Sequence, residues 1–454
     1  MRILIVGAGK IGITIAGHLI AEGHDLVIID RDEEVLKRCE DTLDALCIHG
    51  NGANAQTLIE ADVSHSDILI AATASDEINM LCCLIGKRLG AKYTIARIRD
   101  PEYNNSQTLL QHELGIDMAV NPERATALEI SRLLRFPFAN EIESFAKGLV
   151  EMVEFRAQSK DVVTGCRLKD LAVRLPGLPR VLYAAVERNG QVSIPNGDYM
   201  IAAGDRVLVA GDQLSITNFF RYIGRDSHRI KNVMVLGGGR ISYYLARMIV
   251  PTGMRVTLFE LQPEKARRLS VDLPHVNVLQ GDGTNQETLD QEGLSNMDAF
   301  IALSDRDEEN LMTGLYAASV GVQKVVVKNN RVNYADIIAQ MGLESMISPR
   351  QITSAIILRY VRARVSGQGT KVEKLYRLLE GKAEALEFVV QAGEPYLGIS
   401  LKDLTMRPNS IVAVIVRRGK VIVPFGNDHI EAGDSVVIIT CERGLSDLNE
   451  VIRK

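Results

Sequence analysis

The hydrophobic pattern of this chain runs through one set of elements and then repeats it. Nearly continuous apolar runs, such as Arg2 to Val6, predict central parallel strands that are buried on both faces. This run ends in a glycine-rich turn and passes into a helical pattern, Ile13 to Ala21, and a second strand follows from Leu26 to Ile29. The same succession begins again at Asn232, which indicates a tandem duplication.

Three more strands complete the predicted first sheet, and the carboxyl ends of parallel strands meet at one edge. These strands are Ala45 to His49, Ile68 to Ala72 and Tyr93 to Ile98. A helix with proline near its start follows each sheet, from Pro122 to Leu134 and from Pro349 to Val361.

Shorter strands separated by turns come next in both copies, and they predict a small antiparallel sheet. Hairpin turns are expected at Asn189-Gly190 and Arg418-Gly419. The basic run Arg359 to Arg364 is interpreted as a solvent-facing helix end. The predicted small-unit strands are Leu149 to Arg156, Arg180 to Arg188, Gln191 to Ile194, Arg206 to Ala210, Ala385 to Gln391, Ile411 to Arg417, Lys420 to Val423 and Ser435 to Thr440.

This order predicts an α/β fold in which two Rossmann-like, doubly wound parallel-sheet domains alternate with two small α+β domains. A chain of 454 residues is also too long for one hydrophobic core. The expected boundaries are 1–138 and 229–366 for the Rossmann domains with their crossover helices, and 139–226 and 367–454 for the small domains.

Composition narrows the classes of function. The net charge of −5 argues against nucleic acid as the main partner. No apolar stretch approaches the 18 residues that a membrane span needs, and we expect no secretory signal because a strand begins directly after Met1. The six cysteines show no C-x-x-C spacing, so we expect reduced thiols in a cytoplasmic protein.

The first glycine-rich turn carries the strongest chemical signal. It reads Gly7-Ala8-Gly9-Lys10-Ile11-Gly12 between a strand and a helix, and the next strand leads to Asp30. Gly7 permits the tight turn, Gly9 lets the backbone approach phosphate oxygens, and Gly12 allows close packing of helix on strand. Asp30 can accept both hydroxyls of an adenosine ribose. The motif predicts an adenine nucleotide and disfavours NADP, but it does not distinguish NAD from ATP or ADP.

Further candidates follow the other strands of the first copy. Asn51, Thr73 and Arg97 lie where base, ribose or phosphate could be contacted, although turn chemistry or a surface ion pair would also explain them. The second copy offers a site that need not prefer the same ligand, because Gly12, Asp30, Asn51, Thr73 and Arg97 become Ser242, Glu260, Asp282, Ser304 and Lys328. Its candidates are Gly237, Gly239, Arg240, Ile241, Glu260, Asp282, Ser304 and Lys328.

Residues for catalysis are not evident in the sequence. A dehydrogenase needs an acid–base group at the nicotinamide, and the appended small domains carry no such constellation. The eight histidines show no metal-binding spacing, and there is no G-x-x-x-x-G-K-[ST] loop. We therefore predict a nucleotide site without a reaction, with an NAD-dependent oxidoreductase as the alternative.

In the doubled order of its motifs the chain resembles the TrkA family, the regulators of Trk-type potassium uptake, which are built from RCK (KTN) domains. The matching residues are the glycine-rich turn with Asp30, the S-D-E-x-N signature at Ser75 to Asn79 and A-R-I at Ala96 to Ile98. The small domains contribute L-K-D-L and A-G-D motifs, each present twice. Many family members carry aspartate where this chain has Asn51, whereas Asp282 keeps the pattern.

The resemblance implies a regulatory protein that binds a Trk-type membrane potassium-translocating subunit. It implies a peripheral location on the inner face of the plasma membrane and a homo-oligomer, a dimer or tetramer, whose Rossmann domains form a ring. NAD(H), ATP or ADP would act as regulatory ligands that rearrange this ring. Gly7, Gly9 and Gly12 would hold phosphates, Asp30 would bind ribose, and Arg97 would lie near phosphate or the adjoining subunit. Regulation of a potassium efflux system or cation antiporter is the alternative.

Overall fold

A six-stranded parallel sheet with helices on both faces begins the chain. The computed structural model describes residues 1–106, 113–136, 139, 141–225, 230–330, 343, 345–365, 372–379, 382–442, 445 and 447–453. The first sheet has the order β3-β2-β1-β4-β5-β6, and every pairing in it is parallel. Its elements are β1 (Arg2–Val6), α1 (Lys10–Ala21), β2 (Asp25–Asp30), α2 (Glu33–Thr42), β3 (Leu46–His49), α3 (Ala55–Glu60), β4 (Ile68–Ala71), α4 (Asp76–Arg88), β5 (Tyr93–Arg97) and β6 (Met118–Val120).

The first crossover helix, α5 (Pro122–Arg135), leads from this sheet into a five-stranded antiparallel sheet. The order of the antiparallel sheet is β10-β9-β11-β8-β7, and the turn at Asn189-Gly190 has the positive φ angles of 51° and 80° that a tight hairpin requires. Its elements are β7 (Glu141–Phe145), β8 (Val150–Arg156), α6 (Leu171–Arg174), β9 (Leu182–Arg188), β10 (Gln191–Ser193), β11 (Arg206–Asp212) and α7 (Gln213–Tyr222).

The second half of the chain repeats this plan. Its parallel sheet has the order β14-β13-β12-β15-β16-β17, and the antiparallel sheet has the order β18-β19-β23-β21-β22. The parallel sheet contains β12 (Asn232–Leu236), α8 (Arg240–Ile249), β13 (Arg255–Glu260), α9 (Pro263–Asp272), β14 (Val276–Gln280), α10 (Gln286–Gln291), β15 (Ala299–Ala302), α11 (Asp307–Ser319), β16 (Lys324–Lys328) and β17 (Ser345–Ile347). The second crossover helix α12 (Pro349–Val365) precedes β18 (Val372–Leu378), β19 (Ala383–Val389), β20 (Thr405–Met406), β21 (Ser410–Arg417), β22 (Lys420–Ile422), β23 (Ser435–Thr440) and β24 (Ile452–Arg453).

The predicted fold class is confirmed: two Rossmann-like parallel sheets alternate with two small antiparallel sheets. The predicted strands lie within a few residues of the observed ones. The sequence pattern did not reveal β6 and β17, which have only three residues each, or β7 and β18, which place charged residues between apolar ones. Helix α7 was also missed.

Each crossover helix packs on the Rossmann unit of the other half. Ile130 and Leu133 of α5 belong to one hydrophobic core with Leu245 of α8. Conversely, Leu358 and Val361 of α12 are buried in the core of the first Rossmann unit. This exchange of helices holds the two units together, because each contributes a part of the other's core.

The basic end of α12 is not solvent-facing, so that interpretation was wrong. Arg362 forms two hydrogen bonds to the carboxylate of Glu22 at the end of α1, from Nε to Oε2 at 2.9 Å and from Nη2 to Oε1 at 2.5 Å. Both side chains are largely buried, with 19% and 14% of their surfaces exposed. Arg359 lies over the ring of Tyr376, which is in the second small sheet.

The two small sheets share a core. The rings of Phe145 on β7 and Tyr376 on β18 meet edge to face, with their centroids 4.3 Å apart. Lys382 of the second small sheet lies 2.5 Å from a carboxylate oxygen of Glu187 in the first. In the described part of the chain, no helix combines the length and apolar character needed to cross a bilayer.

Candidate nucleotide site

A cleft of about 940 Å³ opens at the carboxyl ends of β1 and β4, where the strand order of the first sheet reverses. An open parallel sheet binds its ligands at such a reversal. The opposite wall of the cleft comes from the second Rossmann unit, through residues at the start of α8 and the ends of β15 and β16. The cleft therefore joins the carboxyl edges of both parallel sheets.

The glycine-rich turn forms the floor of this cleft, and its three glycines differ in their surroundings. Gly7 has a φ angle of 103°, and a Cβ there would lie 2.9 Å from the carbonyl carbon of Ala72. A Cβ on Gly12 would lie 1.9 Å from the carbonyl oxygen of Gly7, so α1 can approach β1 only without a side chain at this position. Gly9 has open space around it. It precedes α1 without a side-chain cap, which leaves the helix N–H groups available to an anion.

Asp30 is fixed at the end of β2 by backbone donors. Its Oδ2 accepts a hydrogen bond from the Ala8 N–H at 2.6 Å, and its Oδ1 accepts one from the Asp32 N–H at 3.0 Å. The carboxylate lines the cleft beside the glycine-rich turn. Within the described part of the chain, one acceptor position remains on each oxygen, which matches the two hydroxyls of a ribose.

Asn51 and Thr73 line the cleft and also stabilise the turns in which they lie. The side-chain oxygen of Asn51 accepts from the Ala53 N–H at 3.1 Å, and the Thr73 hydroxyl donates to Asn79 Oδ1 at 2.7 Å. The fully buried amide of Asn79 donates in turn to the carbonyls of Thr73 and Arg97. The asparagine of the S-D-E-x-N signature thus ties the ends of β4 and β5 together, and Asn310 does the same in the second half.

Arg97 directs an incompletely paired guanidinium group into the cleft. Its Nη1 donates to the Thr73 carbonyl at 3.3 Å, and its Nη2 lies 4.0 Å from Glu123, whereas its buried Nε has no hydrogen-bond partner among the described residues. Burial lowers the pKa of Arg97, and the nearby cations Arg99 and Arg240 lower it further against the opposing effect of Glu123. An anionic ligand would relieve this unfavourable environment.

The structure brings twelve of the predicted site residues together. The lining includes Gly7, Gly9, Lys10, Ile11, Asp30, Asn51, Thr73, Arg97, Gly239, Arg240, Ile241 and Lys328. The five that lie outside this lining are Gly12, Gly237, Glu260, Asp282 and Ser304.

The cleft also contains residues that the sequence analysis missed, among them Val35, Glu123, Asp305 and Arg350. Asp305 pairs with Lys328, whose Nζ lies 3.0 Å from its carboxylate. A signal for Glu123 and Arg350 was present, since each follows the proline that starts a crossover helix at the edge of its sheet.

The second glycine-rich turn has adapted to its substitutions. The Ser242 hydroxyl donates to the carbonyl oxygen of Gly237, which corresponds to the Gly7 carbonyl oxygen that a Cβ on Gly12 would meet at 1.9 Å. Asp282 accepts hydrogen bonds from the backbone and hydroxyl of Thr284. Hydrogen bonds from Thr284 lower the pKa of Asp282. Ser304 is held by Asn310, as Thr73 is by Asn79.

Models of two protein domains match the chain, each of them twice. The TrkA-N domain matches residues 3–122 and 233–349, and the TrkA-C domain matches residues 152–224 and 385–453. The chain belongs to the TrkA family. Full-length relatives in this family include a Trk system potassium uptake protein TrkA homolog of Archaeoglobus fulgidus, 31% identical with complete coverage of both chains. The Trk system potassium uptake protein TrkA of Vibrio alginolyticus is 30% identical over 96% of this chain and 95% of its own.

Solved structures support the same fold for this TrkA-family chain. The GsuK channel bound to NAD has a TM-score of 0.64 at 18% identity, over 97% of this chain and 76% of that one. The GsuK RCK domain has a TM-score of 0.63 at 17% identity and covers 96% and 92% of the two chains. Across the residues with described positions, no group of three or more histidine, cysteine, aspartate or glutamate side chains is arranged to hold a metal ion.

Proposed function

We propose that this chain is the nucleotide-binding regulatory subunit of a Trk-type potassium uptake system and that it acts by switching a membrane subunit, without catalysing a reaction. The observation that carries this proposal is the cleft, in which a complete glycine-rich turn and Asp30 face basic residues of the second Rossmann unit. The relatives named as Trk potassium uptake proteins support the class of partner, a Trk-type membrane potassium-translocating subunit.

The ligand that suits the first Rossmann unit is an adenine nucleotide: NAD(H), ATP or ADP. Its ribose would bind Asp30, and its phosphates would lie at Gly9 and the N-terminus of α1. Asn51 and Thr73 would contact the nucleotide from the neighbouring strand ends. Lys10 and Arg97 would supply positive charge from the same unit.

Switching follows from the second wall of the cleft. Arg240 and Lys328 reach the cleft from the other Rossmann unit. The negative charge of a longer phosphate chain would therefore attract cationic side chains on both walls of the cleft. A ligand shifts a conformational equilibrium only by its difference in affinity between the two states. A nucleotide that bridges the walls would favour the closed arrangement, and one with fewer phosphates would favour it less.

The assembly that would transmit this change is a homo-oligomer of two or four chains, in which the Rossmann units form a ring. We infer that it lies in the cytoplasm, peripheral on the inner face of the plasma membrane, where its partner would be reached. The proposed boundaries, 1–138, 139–226, 229–366 and 367–454, assign each crossover helix to the sheet that precedes it.

Substitution of Asp30 tests the proposal. Calorimetric titration of Asp30→Ala with ATP, ADP, NAD and NADH should show at least a tenfold loss of affinity, about 1.4 kcal/mol, for the ligands that the unchanged protein binds. Potassium uptake by cells that carry this variant should lose its dependence on the nucleotide. Asp25→Ala is the matched control, because Asp25 is exposed at the other end of the same strand. Unchanged affinity and uptake in Asp30→Ala would overturn the proposal.

A further inference from the structure

The carboxylates that end β2 and β13 have different numbers of free acceptor positions. Asp30 accepts two backbone hydrogen bonds, one on each oxygen. Glu260 accepts the equivalent two, from the Gly238 N–H to Oε2 at 3.1 Å and from the Gln262 N–H to Oε1 at 2.9 Å. A third donor, Lys265 Nζ, lies 2.9 Å from Oε2 of Glu260. A carboxylate oxygen has about two acceptor positions, so Asp30 keeps two for a ribose diol and Glu260 keeps one.

The additional methylene group of Glu260 is accommodated by a smaller residue in the turn. Gly238 replaces Ala8, and a Cβ at Gly238 would lie 2.7 Å from Oε2 of Glu260 and 2.4 Å from the side chain of Leu269. Glu260 is consequently buried against the turn, with 5% of its surface exposed. In the first copy Val35 occupies the position of Lys265 and lines the open cleft. The second copy therefore has a cation where the first has an apolar wall.

We propose that Lys265 is an internal ligand of the second ribose position, so that the chain binds one nucleotide, in the first cleft, while Lys265 pairs with Glu260. This inference rests on the proposed function, because it assumes that the first cleft takes an adenine nucleotide. Lys265 is then the residue that makes the two sites differ in nucleotide binding.

The charges around Glu260 agree with this role. Burial alone would raise the pKa of Glu260, but the hydrogen bonds from Gln262 and Lys265 outweigh it and the pKa is lowered. The carboxylate is thus held ionised and paired. The Lys265 side chain is 44% exposed, and partly exposed ion pairs contribute little to stability. Replacing this lysine should therefore open the site without unfolding the domain.

The test counts bound ADP per chain in the full-length protein by equilibrium dialysis. The unchanged protein should bind one ADP, Asp30→Ala none in the same concentration range, and the double variant Asp30→Ala, Lys265→Met one again. Methionine keeps the length and apolar stem of lysine. Asp30→Ala combined with Arg268→Ala is the matched control, since Arg268 is exposed on the same helix, and it should bind none.

The outcomes separate this inference from the proposed function. Two ADP molecules on the unchanged protein, with one retained on Asp30→Ala, would leave the proposed function standing and overturn the role of Lys265. Absence of ADP from a Lys265→Met double variant with unchanged thermal unfolding would also overturn it. If the unchanged protein binds none of ADP, ATP, NAD and NADH, the proposed function itself fails.

Discussion

The hydroxyl oxygen of Tyr244 lies 3.0 Å from the backbone carbonyl oxygen of Arg99, to which it donates a hydrogen bond. Tyr244 belongs to α8 of the second Rossmann unit, whereas Arg99 follows β5 of the first. The side-chain amide of Asn121 donates to both groups, so the contact is part of a closed triangle. Arg99 is two residues beyond Arg97, which faces the cleft. These hydrogen bonds therefore hold α8 of the second unit against the residues that follow β5 of the first.

Tyr244→Phe should weaken this connection while leaving both units folded. Loss of the two hydrogen bonds of this hydroxyl, to the Arg99 carbonyl and from the Asn121 amide, should reduce the free energy of unfolding by about 1–3 kcal/mol. The variant should also reduce the difference in affinity between ATP and ADP. Without these hydrogen bonds, Arg97 of the first unit and Arg240 of the second are no longer held at a fixed distance across the cleft. Titration calorimetry and urea unfolding measure the two effects.

The pseudo-symmetric position supplies the control for Tyr244. Thr14 occupies the corresponding place on α1, where its hydroxyl donates to the carbonyl of Lys10 in the same helix. Thr14→Ala removes a hydroxyl without breaking a contact between the units, so it should leave the ATP-to-ADP ratio unchanged. An equal change in both variants would contradict a specific role for Tyr244.

Substitutions of two glycines in the first turn should have different effects: one at Gly12 should lower stability, and one at Gly9 should lower nucleotide affinity. Gly12→Ala places a Cβ 1.9 Å from the Gly7 carbonyl oxygen, so α1 must move away and the protein should lose about 2–3 kcal/mol of stability. Gly9→Ala meets no atom of the described residues within 4 Å, and its backbone φ of −68° suits alanine. Stability should therefore stay within about 0.5 kcal/mol, while nucleotide affinity falls at least tenfold because a methyl group faces the phosphates. Nucleotide affinity retained in Gly9→Ala would place the phosphates elsewhere.

Local signals in the sequence predicted much of the first site. The glycine-rich turn and Asp30 lie on adjacent strands with a fixed spacing, so strand pairing alone brings them together. The second wall was not predictable in this way, because an amphipathic crossover helix such as α5 can pack equally well on either Rossmann unit. Only the assembled structure shows that α5 packs on α8 and thereby brings Arg240 and Lys328 to the first cleft.

The inequality of the two copies was only partly predictable. The change from Asp30 to Glu260 was evident, but its effect depends on Lys265, which lies in the first turn of the following helix α9. Comparison of the copies position by position would have shown that Val35 becomes lysine and Ala8 becomes glycine. The residues are local in sequence, but the position of the longer carboxylate depends on the missing side chain at Gly238, where a Cβ would lie 2.7 Å from Oε2 of Glu260.

The contact between Arg362 and Glu22 should hold α12, the crossover helix of the second half, against α1 of the first Rossmann unit. Arg362→Ala removes two hydrogen bonds between charged groups, so the free energy of unfolding should fall by about 1–3 kcal/mol. Backbone amides of α1 should exchange their hydrogens faster, because this helix loses its neighbour. Arg362→Lys keeps the charge without the paired geometry, so its effect should be intermediate. Unchanged exchange in α1 with lowered stability elsewhere would show that the pair does not restrain α1.

His24 should make the first Rossmann unit sensitive to acid. Burial lowers the pKa of His24, and the positive amino terminus of Met1 lowers it further. The folded state therefore holds a neutral imidazole, whereas the unfolded chain takes up a proton near the ordinary value of 6.5. Because the unfolded state binds more protons below this value, stability should fall as the pH decreases from 6.5.

Urea unfolding between pH 5 and pH 8 measures this dependence. His24→Gln cannot take up the proton, so its stability should decline less steeply below pH 6.5 than that of the unchanged protein. His275→Gln is the control, because His275 is exposed in the second Rossmann unit, and its profile should follow that of the unchanged protein. Parallel profiles for all three proteins would show that His24 takes up its proton equally in the folded and unfolded states, contrary to the buried position of its Nε2.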